Sequence, residues 1–276
     1  MSKTPSPPPE PHLTSRRYLY NDSAYLAEQL ADFAATWKQR EDISTRAQNM
    51  LRLDNDIKSL QNFANRAYAN ELGIQKTVLR DLLGGLFPLL SPLSAPSPNL
   101  LPATGEQNLM HTDDTASSLS TATGHVRSLA AAWEAVLARS VWQQAVGALV
   151  DAVAAKLIAD VMDLPSIGQD EAYSIAKLIA SAEELDDLFV VAGDGSGVPR
   201  TAQFAASWLR LKYLSEVLQS NLRDVRFLWV EGELSLYFTA EEVVDLVKVS
   251  FEDNVRTREV IREIRANVRP RGEGRG

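Results

Sequence analysis

"FLWVEGELSLYFTAEEVVDLV", residues 227–247, admits two local readings. Taken alone, its first half looks like two apolar strands joined by a Glu-Gly turn, and a hairpin there would make the fold mixed or all-β. The residues before it argue otherwise. Phe204, Trp208, Leu211, Ser215, Leu218, Leu222, Val225 and Trp229 recur at alternating spacings of four and three, with Ser215 the only polar member. That is the repeat of one helix face, and a strand starting at Phe227 would cut it where it is strongest. The spacing therefore predicts a helix running on through Trp229 to about Glu231, weakened at its end by Gly232. "LSLYF" then becomes an apolar connector. Thr239 and Glu242 form a capping box for the next helix, and Phe238 is placed to staple onto Val243 across it.

Working outward, the same periodicity recurs on both sides. Downstream, Val243, Leu246, Val247 and Phe251 face one way, and a final helix capped near Asp253 or Asn254 offers Val260, Ile261 and Ile264. Upstream, Ala172, Ile175, Ile179 and Ala182 form one stripe, and Val146, Leu149, Val153, Leu157 and Val161 form another that Pro165 ends. Met50, Leu53, Ile57, Leu60, Ala64 and Ala67 begin a longer stripe that continues to Leu82 and Leu83 and stops at Gly84-Gly85. Before it, Leu26, Leu30, Phe33 and Trp37 mark a helix for which Asn21 or Asp22 is the expected cap. The expected fold is all-α, with seven or eight helices and no convincing strand.

Pro, Ser and Thr interrupt this pattern. Residues 1–14 are expected to be a disordered tail, and about 84–124, with five prolines and "TDDTASSLSTATG", a disordered insertion. The expected organisation is a helical bundle over 15–192 carrying that insertion, a linker at 193–200, a C-terminal bundle over 201–267, and a disordered tail at 268–276.

Composition narrows the function classes. With 28 Lys+Arg against 36 Asp+Glu, the net charge of −8 gives no general attraction to phosphate backbones or anionic membranes, so nucleic acid is not an expected partner. No cysteine is present, which removes thiol chemistry and fits a reducing compartment. No signal peptide opens the chain and no apolar run is long enough to cross a bilayer, so the expectation is a soluble, cytoplasmic protein without direct membrane insertion.

A catalytic constellation is hard to find. His12 and His111 fall in the segments expected to be disordered, and "HTDD", residues 111–114, reads as a solvated polar run rather than a metal site. "GDGSG", residues 193–197, lacks the lysine of a phosphate-binding loop and a strand to aim it. Glu183-Glu184, Asp186-Asp187 and Glu241-Glu242 read as solvated or capping carboxylates, and Trp133, Trp142, Trp208 and Trp229 as core. "TPSPPPEP" reads as a tail. The expectation is a protein that binds other proteins, with no catalytic residue, cofactor or metal.

Five segments carry a resemblance: "YLYNDSAYLAEQL" (18–30), "QKTVLRDLLGG" (75–85), "VWQQAVGALVDAVAAKLIADVMDLPSIGQDEAYSIAKLI" (141–179), "ELDDLF" (184–189) and "LKYLSEVLQSNLRDVRFLWVEGELSLYFTAEEVVDLV" (211–247). In this order they resemble the C-terminal region of fungal Zeste-white-ten proteins. The resemblance implies elongated stacked helical bundles of the multisubunit vesicle-tether, CATCHR-like type, and no catalysis. It also implies partners: other subunits of an endoplasmic reticulum tethering complex, including a large α-solenoid subunit, and through it the SNAREs of that membrane. The place implied is the cytosolic face of the endoplasmic reticulum in Golgi-to-endoplasmic-reticulum retrograde transport, or alternatively the kinetochore. The family's N-terminal pairing region has no counterpart in these residues. Within the C-terminal block, Arg258, Arg262 and Arg265 lie at spacings of four and three beside Ile261 and Ile264, which makes these five the candidate partner-binding residues.

Overall fold

Residues 227–247 form helices joined by short turns, with no hairpin. Here Leu222–Val230 and Ala240–Ser250 are α-helices and Leu234–Tyr237, expected as a connector, is a short helix between them. The structure, a computed structural model, describes residues 11–40, 44, 45, 52–84, 106–190 and 198–268. The protein is all-α: among the described residues no strand occurs. The helices are α1 (Pro11–Lys38), α2 (Asp54–Leu83), α3 (Glu106–Glu134), α4 (Arg139–Met162), α5 (Gln169–Glu183), a 3₁₀ helix (Glu184–Phe189), α6 (Thr201–Phe204), α7 (Trp208–Gln219), α8 (Leu222–Val230), α9 (Leu234–Tyr237), α10 (Ala240–Ser250) and α11 (Val255–Ala266).

The long helix expected from Phe204 to Glu231 is three helices. Ser220 and Asn221 are extended (φ −87°, ψ 147° and φ −79°, ψ 167°), and the Asn221 side chain accepts from the backbone N–H groups of Arg223 and Asp224 at 2.9 and 3.1 Å. An asparagine that satisfies two orphan donors makes a restart cheaper than continuation. The stripe nevertheless marks the core face: Trp208, Leu211, Ser215, Leu218, Val225 and Trp229 are buried, and Phe204 and Leu222 are partly exposed. The expected capping box on α10 is present, with Thr239 N–H donating to Glu242 at 2.8 Å and Glu242 N–H to Thr239 Oγ1 at 3.3 Å. Phe238 and Val243 on either side of it are buried.

Two helices start earlier than their sequences suggest. α1 begins at Pro11, so Asn21 and Asp22 lie inside it, and Pro11–Thr14 are helical rather than part of the expected tail. Proline is tolerated at a first helical position because its missing N–H is unpaired there in any case. α3 begins at Glu106, inside the segment expected to be disordered to about residue 124. The hydroxyls of Thr121 and Thr123 donate to the carbonyls of Ser117 and Ser120 at 2.8 and 3.1 Å, so both are satisfied within the helix. Leu119, Ala122, Val126, Leu129 and Trp133 supply a buried stripe that the Ser/Thr composition hides. The remainder of the expected disordered segments, residues 1–10, 85–105 and 269–276, and most of the 193–200 linker lie outside the described residues.

The chain forms two compact units, residues 1–77 with 131–142, and residues 78–130 with 143–276. In the first, Tyr20 of α1 meets Tyr68 of α2 with ring centroids 5.5 Å apart, and Ala27, Ala64, Trp133 and Trp142 are buried. In the second, α4 is apolar on nearly all sides and buries Val146, Leu149, Val150, Val153, Ala154, Leu157 and Val161. There Gly147 permits close contact with α6, since a Cβ at this position would stand 2.4 Å from the Cβ of Phe204. α5 packs along α7, so residues 143–190 and 198–268 share one unit, whereas the linker reading divides them.

Candidate partner-docking face

The last helices form a self-braced block within the second unit. α11 starts at Asn254, whose side chain accepts from Thr257 N–H at 3.0 Å, while the Thr257 hydroxyl donates to Glu252 O at 2.8 Å and is buried. At the other end the indole N–H of Trp229 donates to Ile264 O at 3.0 Å. That carbonyl belongs to the last turn, where intrahelical donors run out, so one buried tryptophan on α8 both packs against α11 and ends it.

The five sequence-predicted residues take different places. Ile264 is fully buried and holds α11 to the block rather than facing a partner. Arg258 grips Asp253 with two bonds of 2.7 Å, and Arg265 grips Glu241 of α10 at 3.0 and 2.8 Å. The hydrogen bonds lower the acidities' pKa values: Asp253 is held below the usual carboxylate range by Arg258, and Glu241 by Arg265. The two arginines are raised by the same bonds. Arg262 is exposed and has no partner among the described residues, and Ile261 beside it is partly exposed. A shared spacing on the helix put the three arginines together; their carboxylates, one of them on α10, separate two from the third.

The sequence reading missed a polar hub in the same unit. Asp186 reads as one of a solvated pair, yet its Oδ1 accepts from the Trp208 indole at 2.8 Å and from the Thr201 hydroxyl, and its Oδ2 from Lys212 at 2.6 Å. Lys212 also lies 3.8 Å from Glu183, whose carboxyl burial pushes up despite that cation. Asp187 turns outward, where Arg127 of α3 binds both its oxygens and the Glu184 carbonyl. "ELDDLF" is thus a brace: Leu185 and Phe189 enter the core and the two aspartates tie α3, α6 and α7 to it. The donors that reveal this lie beyond helical spacing, at positions 127, 201, 208 and 212.

The Glu241-Glu242 pair serves Arg265 and the capping box, and a cleft of about 260 Å³ beside Ala155, Ala159, Met162 and Ser207 is edged by Arg210 and Glu242, which pair with each other at 2.7 Å. No group of residues suited to a metal ion occurs among the described residues, and no helix there is long and apolar enough to cross a membrane. "HTDD" falls within α3, and "GDGSG" lies outside the described residues.

The described residues of this unit thus form a block of mutually braced helices. The family model for the ZW10 C-terminal helical domain matches residues 117–264, more than half of the chain, and the chain belongs to that family. It is 24% identical to the centromere/kinetochore protein zw10 homolog of Rattus norvegicus over 149 residues, 51% of this chain and 19% of that protein. To the homolog of Arabidopsis thaliana it is 27% identical over 134 residues, 47% of this chain and 18% of that protein. The match thus spans about a fifth of the length of these relatives.

Proposed function

We propose that this chain is a non-catalytic scaffold that docks a partner subunit through its C-terminal helices in a tethering complex for Golgi-to-endoplasmic-reticulum vesicles. The observation that carries the reading is the family match over residues 117–264, which runs through the braced block to Ile264 near the end of α11. Its partners are other subunits of that complex, among them a large α-solenoid subunit, and indirectly SNAREs on the cytosolic face of the endoplasmic reticulum. Arg262 and Ile261 are the residues of the five left open to that contact. Arg258 and Arg265 are exposed as well, but their guanidinium groups already hold Asp253 and Glu241.

The names of the relatives favour a second reading, a kinetochore scaffold. Imaging the chain tagged at its own locus separates the two. Tethering predicts an endoplasmic reticulum pattern through interphase, whereas enrichment confined to mitotic centromeres favours the kinetochore; diffuse signal at both stages counts against either role.

A further inference from the structure

Away from α11, the unit presents a second face on α7 and α9. Tyr213 and Tyr237 stack with centroids 4.8 Å apart and an interplanar angle of 22°. Leu209, one turn before Tyr213 and on the same side of α7, is 36% exposed, and Leu236, next to Tyr237, is 60% exposed. The rim of this patch is acidic. The Tyr213 hydroxyl donates to Glu233 at 3.0 Å, and its pKa is pushed up to about 12 by burial and by the nearby charges of Glu233 and Glu216. The cations next along α7 are engaged elsewhere: Lys212 with Asp186 at 2.6 Å and Arg210 with Glu242 at 2.7 Å.

We infer that this face docks a basic amphipathic helix of a partner protein, with apolar side chains on Leu209, Tyr213, Tyr237 and Leu236 and flanking Lys or Arg against Glu216 and Glu233. Tyrosines are favoured anchors because they bury a large ring while keeping a polar tip wet, and the uncompensated carboxylates select the sign of the partner. Charge complementarity argues against a second copy of the same face, which would set Glu216 and Glu233 against themselves.

The test uses the full chain and a fluorescent helical peptide of leucine and lysine at heptad spacing, read by anisotropy. The wild type should bind it with an affinity that falls as salt rises, and should ignore the same peptide with glutamate for lysine. Leu236→Glu, and separately Glu216→Lys with Glu233→Lys, should each weaken binding at least about tenfold while circular dichroism stays native. Glu28→Lys with Asp32→Lys, an equal charge change on the exposed side of α1, should leave it unaltered. Binding that survives the α7–α9 variants, or falls equally with the α1 variant, overturns the proposal. So does concentration-dependent self-association that Leu236→Glu abolishes, which would make a second copy the occupant.

Discussion

Replacing Gly147 with alanine sets helix propensity against packing, and the structure decides the sign. In a helix interior alanine is favoured over glycine by about 1 kcal/mol. At Gly147, however, the new Cβ would lie 2.4 Å from Phe204 Cβ, 2.7 Å from its carbonyl oxygen and 2.9 Å from its carbonyl carbon. No rotamer change moves a Cβ or a backbone carbonyl, so α6 itself must shift. Phe204 resists that, since its ring stacks on Phe189 at 5.7 Å and α6 is closed by Ala205 N–H donating to Thr201 O at 2.9 Å. Overpacking a filled core costs about 1–3 kcal/mol, and an immovable neighbour puts this site at the upper end. The net expectation is a loss of about 2 kcal/mol once propensity is subtracted. Gly124→Ala is the internal control: nothing lies within 4 Å of its Cβ position, so propensity acts alone and the variant gains up to about 1 kcal/mol. Urea denaturation followed by the fluorescence of the buried Trp208 and Trp229 reads both. A Gly147→Ala midpoint at or above the wild-type value would refute the close approach of α6 to α4.

Three further outcomes follow from the brace and the caps. Asp186→Ala strands the indole N–H of Trp208 and the hydroxyl of Thr201, both 1% exposed, and should cost about 2–4 kcal/mol by denaturation, whereas exposed Asp187→Ala should cost under about 1 kcal/mol. Trp229→Phe removes the donor to Ile264 O at about 1 kcal/mol and should speed hydrogen exchange in the last turn of α11; unchanged exchange there would count against the cap. Burial raises the Asp160 carboxyl above its ordinary value, against the pull of Lys156. A raised carboxylate contributes stability below its unfolded pKa and loses it as pH rises through the folded one, so charged Asp160 is a cost at neutral pH. Asp160→Asn should therefore match or exceed the wild type at about pH 7 and lose that advantage below about pH 4, where both are neutral. A deficit at neutral pH would contradict the sign.

Burial was more legible in the sequence than element boundaries were on α7 and α8, but not on α1, where Leu26 and Phe33 of the expected stripe are 50% and 52% exposed. Apart from partly exposed Leu222, the four-three stripe from Trp208 to Trp229 named residues that are buried, because periodicity reports a face whether or not the helix is continuous. It could not show the break at Asn221, since an asparagine reads the same as an interior residue and as a cap until its side chain is placed. The Thr239-Glu242 box was legible for the opposite reason: both partners lie within four residues. α3 was hidden because threonine and serine depress propensity, while the buried row from Leu119 to Trp133 overrides it by packing. The candidate face was half visible. Spacing placed the three arginines together on one helix, but Glu241 lies on α10 and Ile264 meets Trp229 of α8, contacts that no local pattern encodes.

The most direct test of the proposed docking through the C-terminal helices is affinity isolation of the tagged full chain, wild type against Arg262→Glu, with the proposed α-solenoid subunit quantified by mass spectrometry. Arg262 has no intramolecular partner among the described residues, so the substitution should leave thermal stability unchanged. The account predicts that the recovered solenoid subunit falls to a small fraction of the wild-type amount and that the wild-type complex loosens as salt rises. Full recovery with the folded Arg262→Glu chain would contradict it and place the contact elsewhere.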